Sequence, residues 1–75
     1  MTRLPRVSGT DVVRALERDG FSVVRRKGSH VFVRHADGRT TVVPPHASET
    51  IGLGLLSKIL RDVALDQERF ERLLQ

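Results

Sequence analysis

The sequence predicts an α+β fold in which one helix leads into a three-stranded antiparallel sheet and further helices close the chain. Three observations carry this. Apolar residues recur at helical spacing in the first twenty positions, between a capping serine (Ser8) and a glycine that can end a helix (Gly20). Residues 21–43 are rich in β-formers and are cut twice by turn residues. Helical spacing then returns at Leu55, Leu56, Ile59, Leu60 and Val63. A sheet this small must bury one face against helices, which gives the α+β class.

Taken in order, Met1 to Val7 reads as an extended leader, because Pro5 disfavours helix at Leu4. The Ser8 hydroxyl can cap the amide three residues on, and Asp11 at that position places a carboxylate at the positive helix end. Val12, Val13 and Leu16 form one face of this first helix and Arg14, Glu17 and Arg18 another, with the end at about Asp19. Residues 21–26 read as a strand, Lys27-Gly28-Ser29 as a short turn, residues 30–35 as a second strand, Asp37-Gly38 as a hairpin turn, and residues 40–43 as a third strand stopped by Pro44-Pro45. Gly52 and Gly54 together would delay the onset of the next helix, and Asp66 can cap a last short one in which Phe70, Leu73 and Leu74 share a face. The resulting order, α-β-β-β-α with a short extra C-terminal helix, is that of double-stranded-RNA-binding domains, which read A-form shape through phosphates and 2′-hydroxyls. Fold alone assigns no activity.

Composition narrows the classes. The 75 residues amount to one domain, residues 1–75, and 39% hydrophobic content suffices for one modest core. There is no cysteine, so neither disulfides nor thiolate chemistry is available, a composition compatible with a reducing, cytoplasmic setting. No stretch approaches the roughly 20 apolar residues of a membrane span, and the basic start is not followed by the apolar run of a signal peptide. The formal net charge of +4 is uneven: residues 1–20 carry +1, residues 21–50 carry +3 and residues 51–75 carry none. That is either the footprint of a polyanion site or a solvated basic face. The strands alternate imperfectly. Val31 and Val33 point one way while Phe32 points the other beside His30 and Arg34, and Val23 and Val24 straddle both faces. Apolar area on the uncovered face would suit a protein partner or self-association, unless these are ordinary exposed valines.

The candidate chemistry lies in Arg25-Arg26-Lys27-Gly28-Ser29-His30. Cutting an RNA phosphodiester needs a proton taken from the 2′-hydroxyl, one given to the leaving 5′-oxygen, and cations against the phosphate. Imidazole titrates close to cellular pH and can do either transfer. Arg25, Arg26 and Lys27 would hold phosphate, and Gly28 and Ser29 would shape the turn. Equally, this is a basic turn before a histidine that merely tops a strand. His46, after Pro44-Pro45, would be a second proton-transfer group or a residue that ties its loop to nearby backbone; His35 should be solvent-exposed. The spacing of the three histidines matches no common zinc pattern, and no phosphate loop, paired-carboxylate motif or cofactor signature is present.

Gly20-Phe21, Lys27-Gly28-Ser29-His30-Val31-Phe32, Val42-Val43-Pro44 with His46, and Gly54-Leu55-Leu56-Ser57-Lys58-Ile59-Leu60-Arg61 together resemble the HicA-type mRNA interferase toxins. Ser8-Gly9, Leu16 and Phe70 fit the same pattern, so the resemblance runs from about Ser8 to Leu74. It implies a double-stranded-RNA-binding-like fold, one catalytic histidine mapping onto His30, metal-independent cleavage of mRNA, and neutralisation by a HicB-type antitoxin that covers the His30 region. The segment Ala47-Ser48-Glu49-Thr50 departs from the basic character expected after His46. The competing reading is a non-catalytic RNA-binding module of the same fold, which has no need of an imidazole at position 30. A protein-interaction domain with a basic face is a third.

Overall fold

The computed structural model describes residues 4–28, 30–44 and 49–75; Ser29 and His46 lie outside the described residues. Its elements are α1 (Gly9–Arg18), β1 (Phe21–Lys27), β2 (His30–His35), β3 (Thr40–Val43), α2 (Leu53–Asp62) and α3 (Gln67–Leu74). The three strands form an antiparallel meander with β2 in the centre. This is the expected α+β order with the extra C-terminal helix.

Local chemistry accounts for the boundaries. At the start of α1 the Ser8 hydroxyl accepts the Asp11 amide at 3.2 Å and the Asp11 carboxylate accepts the Ser8 amide at 3.0 Å, a reciprocal box. The Ser8 amide, with the Ser8 hydroxyl behind it, holds the Asp11 carboxyl below the usual carboxylate range. Asp66 caps α3 through the Arg69 amide at 2.8 Å. α2 begins earlier than the glycine pair implies: Gly52 is the N-cap and Gly54 lies inside the first turn. Its end is a Schellman motif, with the Leu65 amide on the Leu60 carbonyl and the Ala64 amide on the Arg61 carbonyl. Leu60 and Leu65 are both buried, as that motif favours, but the left-handed position is filled by Ala64 (φ 54°) where glycine is usual.

All three helices contribute to one core. Val12, Ala15 and Leu16 of α1, Leu56, Ile59 and Leu60 of α2, and Phe70 of α3 are buried with Phe21, Val33 and Val43 from the sheet. Val7 joins them because the leader is tied down, with the Ile51 amide on the Val7 carbonyl at 2.8 Å and a bridge between Ser8 and Thr50. The buried Thr41 hydroxyl donates to Asp62 at 3.0 Å, so that polar group is satisfied.

β1 carries a bulge. Val23 pairs with Val33, but the next pair is Arg25 with Phe32, which leaves Val24 as an extra residue. Val24 is accordingly 59% exposed. The bulge explains why Val23 and Val24 could not be sorted by simple alternation. It also resets the phase of the strand: Val23 and Arg26 fall on the helix-facing side, with Arg25 opposite.

His35 is half-buried, contrary to the exposed position expected for it. Its ring stands edge-on to Phe21 with centroids 5.0 Å apart. Nε2 lies 3.1 Å from the Asp19 carbonyl and Nδ1 lies 3.1 Å from the Asp37 amide. A carbonyl only accepts, so an N–H on Nε2 meets the Asp19 carbonyl, while Nδ1 lies 3.1 Å from both the amide and the carboxylate of Asp37. Gly20 closes this corner with φ at +100°, and a Cβ there would sit 2.9 Å from His35 Nε2.

Gly20 and Ala64 therefore predict stability changes of opposite sign. Gly20→Ala meets both a left-handed backbone and the His35 ring, and should lose about 1–3 kcal/mol. Ala64→Gly relieves a strained C′ position and should gain up to about 1 kcal/mol. Urea unfolding of the two variants beside the parent checks both; a stabilised Gly20→Ala would contradict the corner described here.

Candidate functional site

The α1 residues Thr10, Val13, Arg14 and Glu17 follow the i, i+3, i+4, i+7 spacing of one helix stripe. They form one wall of a cleft of about 400 Å³. The facing wall is Arg26, Gly28, His30, Val31, Val43 and Pro44, from the open end of the sheet. This stripe is offset by about one residue from the core stripe of Val12, Ala15 and Leu16, so one helix serves both core and cleft. Placing Arg14 and Glu17 only on another face of the helix from Val12, Val13 and Leu16 missed this second wall. The only hint in the sequence is that Val13 extends the apolar side of the helix toward them.

The candidate residues after β1 separate in space. His30 is exposed at the start of the central strand, opposite Lys27 in the ladder. Arg26, Gly28 and His30 line the cleft together. Arg25 stands on the opposite face with its guanidinium 5.9 Å from the Phe32 ring centroid. Lys27 is exposed but does not line the cleft. The bulge at Val24 decides this division, because it turns Arg26 rather than Arg25 toward α1. Gly28 has φ at +60° and a Cβ on it would meet nothing within 4 Å, so glycine there serves the left-handed turn and not close packing.

The charges in the cleft are uncommitted. The side chains of Arg14, Glu17, Arg26 and His30 form no hydrogen bond or ion pair with another described residue. The opposite end of α1 is different. Asp19, with a side chain 5% exposed, is held by Arg69 at 2.8 Å and Arg39 at 3.8 Å. Arg39 also grips Asp37 at 2.9 Å, bonds the Val63 carbonyl and covers the Phe21 ring at 5.1 Å. That grip holds the Asp37 carboxyl below the usual range. Arg18 bonds the Leu73 and Gln75 carbonyls at the end of α3. The arginines at that end are used in folding, whereas those at the cleft remain available to a ligand. Among the described residues no three histidine, aspartate or glutamate side chains gather as metal ligands.

A family model described as the HicA toxin of bacterial toxin-antitoxin matches residues 9–65, well over half of the chain. The chain belongs to the HicA toxin family. It is therefore a toxin of a toxin–antitoxin system, and an antitoxin is implied as its partner. The matched span contains every residue of the cleft. No curated protein matches the sequence. Among the described residues no helix is long and apolar enough to cross a membrane.

The division between Arg25 and Arg26 predicts unequal roles in anion binding. Neutralising a phosphate releases counterions, so each cation that touches one adds about 0.7 to the slope of log affinity against log salt for a single strand. Arg26→Ala should weaken binding of a single-stranded RNA and reduce that slope by roughly this amount. Arg25→Ala should change the slope far less. Equal changes at the two positions would show that the cleft is not where the polyanion sits.

Proposed function

We propose that this HicA toxin is an mRNA endoribonuclease that works without a metal in the cytoplasm and that His30 is its catalytic residue. The observation that carries this is the placement of an exposed histidine on a cationic cleft whose charged side chains make no hydrogen bond or ion pair among the described residues. In the proposed reaction the 2′-oxygen attacks the adjacent phosphorus as its proton leaves, and the P–O5′ bond breaks as the 5′-oxygen gains a proton. Imidazole at position 30 performs one of these transfers. Arg26, with Arg14 across the cleft, stabilises the charge that builds on the phosphate oxygens. Gly28 shapes the turn that presents His30, and Arg25 and Lys27 add long-range attraction for the strand. His46 is the second candidate for proton transfer.

A HicB-type antitoxin would inhibit by covering the His30 region. The outer sheet face offers it an apolar anchor: Phe32 and Val42 are cross-strand partners there, and Val42 is 37% exposed. Large exposed apolar groups close to a functional strand mark such contact surfaces.

His30→Ala tests the assignment. The residue is exposed, so the variant should stay folded, with a stability change within about ±0.5 kcal/mol. Its RNA cleavage should fall by about 10²–10⁴-fold, and growth arrest should disappear. Parent activity should survive EDTA, and the variant should still bind its antitoxin, which should protect the amides of residues 30–34 from hydrogen exchange. A folded His30→Ala that cuts at the parent rate would sink the catalytic assignment and leave His46 as the next residue to replace. An RNA-binding module without catalysis predicts instead that His30→Arg keeps full function.

A further inference from the structure

The cleft holds more than a phosphate requires. Cations and N–H groups suffice for an anion, yet Val13, Val31, Val43 and Pro44 supply an apolar lining. Val13, Val31 and Pro44 are half-buried and Val43 is fully buried, so the lining is set into the body of the domain. About 400 Å³ is at the small end of ligand pockets, which run from roughly 300 to 1,000 Å³, and has room for one nucleobase with its sugar. A heterocycle gains by leaving water for such a lining. A paired, stacked base cannot enter a concavity; an unpaired one can.

The cleft also holds one carboxylate. Among the described residues that line it, Glu17 is the sole acidic one, exposed and without a hydrogen bond or ion pair to a described side chain. A carboxylate accepts hydrogen bonds and donates none, and it repels phosphate. In a site for a polyanion it belongs where the ligand presents donors. RNA presents them on the base edges, apart from the 2′-hydroxyl. Glu17 projects from α1, whereas Arg26, Gly28 and His30 come from the β1–β2 hairpin. The ligand is thus divided, with the phosphate among Arg26, His30 and Arg14 and the base edge at Glu17.

We infer that the cleft takes one unpaired base next to the phosphate presented to His30, that Glu17 reads its Watson–Crick edge, and that guanine is preferred. Guanine offers two parallel donors, N1–H and the N2 amino group, which match the two oxygens of a carboxylate. Uracil offers one N–H between two carbonyls, and those carbonyls face the carboxylate unfavourably. The inference rests on the ribonuclease reading only for what it says about His30; the base pocket itself is a binding property.

The test uses 2′-deoxyuridine pentanucleotides with a central deoxyguanosine, deoxyadenosine, deoxycytidine or deoxyuridine. They lack the attacking hydroxyl, so a failure of the His30 chemistry leaves the measurement intact. Titrations at fixed salt should shift the methyl resonances of Val13, Val31 and Val43. The deoxyguanosine oligomer should bind about 5- to 150-fold more tightly than the deoxyuridine one, the range a paired polar contact provides. Glu17→Gln, which should melt with the parent, should collapse that preference and leave the salt-dependent affinity in place. Equal affinity for the four oligomers, or tighter binding of a duplex, would overturn the inference. So would a Glu17→Gln protein that keeps its base preference but loses one limb of the pH–rate profile, since that would make Glu17 a proton-transfer group.

Discussion

A three-stranded sheet in a chain of 75 residues can be covered on one face only, and the rest of the structure follows from that restriction. The covered face must be continuous and apolar, which Phe21, Val33 and Val43 achieve beneath Leu16, Leu56, Ile59 and Phe70. The uncovered face can then be cationic and partly apolar without loss to the core. β1 has to satisfy both sides while passing from buried Phe21 to an exposed basic end. A regular strand would carry Arg25 to the helix side. The extra residue at Val24 sends Arg26 there instead and leaves Arg25 over Phe32. The bulge is thus the local device through which the packing of the sheet determines the composition of the cleft.

The same domain separates its charges by duty. Around Asp19 the arginines are drawn into ion pairs, carbonyl contacts and a ring contact that lock α1, α3 and the β2–β3 turn together. A nearly buried carboxylate is tolerated there because two guanidinium groups meet it. Around His30 the charged side chains have no such partners among the described residues. Leaving cations solvated and unpaired costs little at a surface, and it lets a phosphate bind without first breaking internal ion pairs. Family membership makes the chain a toxin, and this division leaves the cleft as the part whose charged side chains are not drawn into contacts among the described residues.

Much of the fold was legible from local chemistry. Ser8 with Asp11, Asp66, Gly20 and Asp37-Gly38 each act over three or four residues, and the elements they bound fall where periodicity puts them. The site was legible only in part. His30, Arg26 and Gly28, which line the cleft, were grouped because they are close in sequence, and Arg25 and Lys27, which do not line it, were grouped with them for the same reason. Arg14 and Glu17 were not found. They lie nine to sixteen residues before Arg26, Gly28 and His30, on a helix whose angle to the sheet no local pattern encodes. His35 was misjudged because its partners, Asp19 and Phe21, come from another part of the chain.

By itself the sequence determined the order of helices and strands, the turns and caps between them, the basic middle third and the histidine at the head of β2. These depend on backbone preference, hydrophobic period and composition, all of which act along the chain. Tertiary structure decided which arginine faces the cleft, which helix stripe opposes His30, and that His35 is a corner post and not a surface residue. Those outcomes depend on strand register and on how α1 packs across the sheet, and one inserted residue is enough to reverse the facing of every side chain after it.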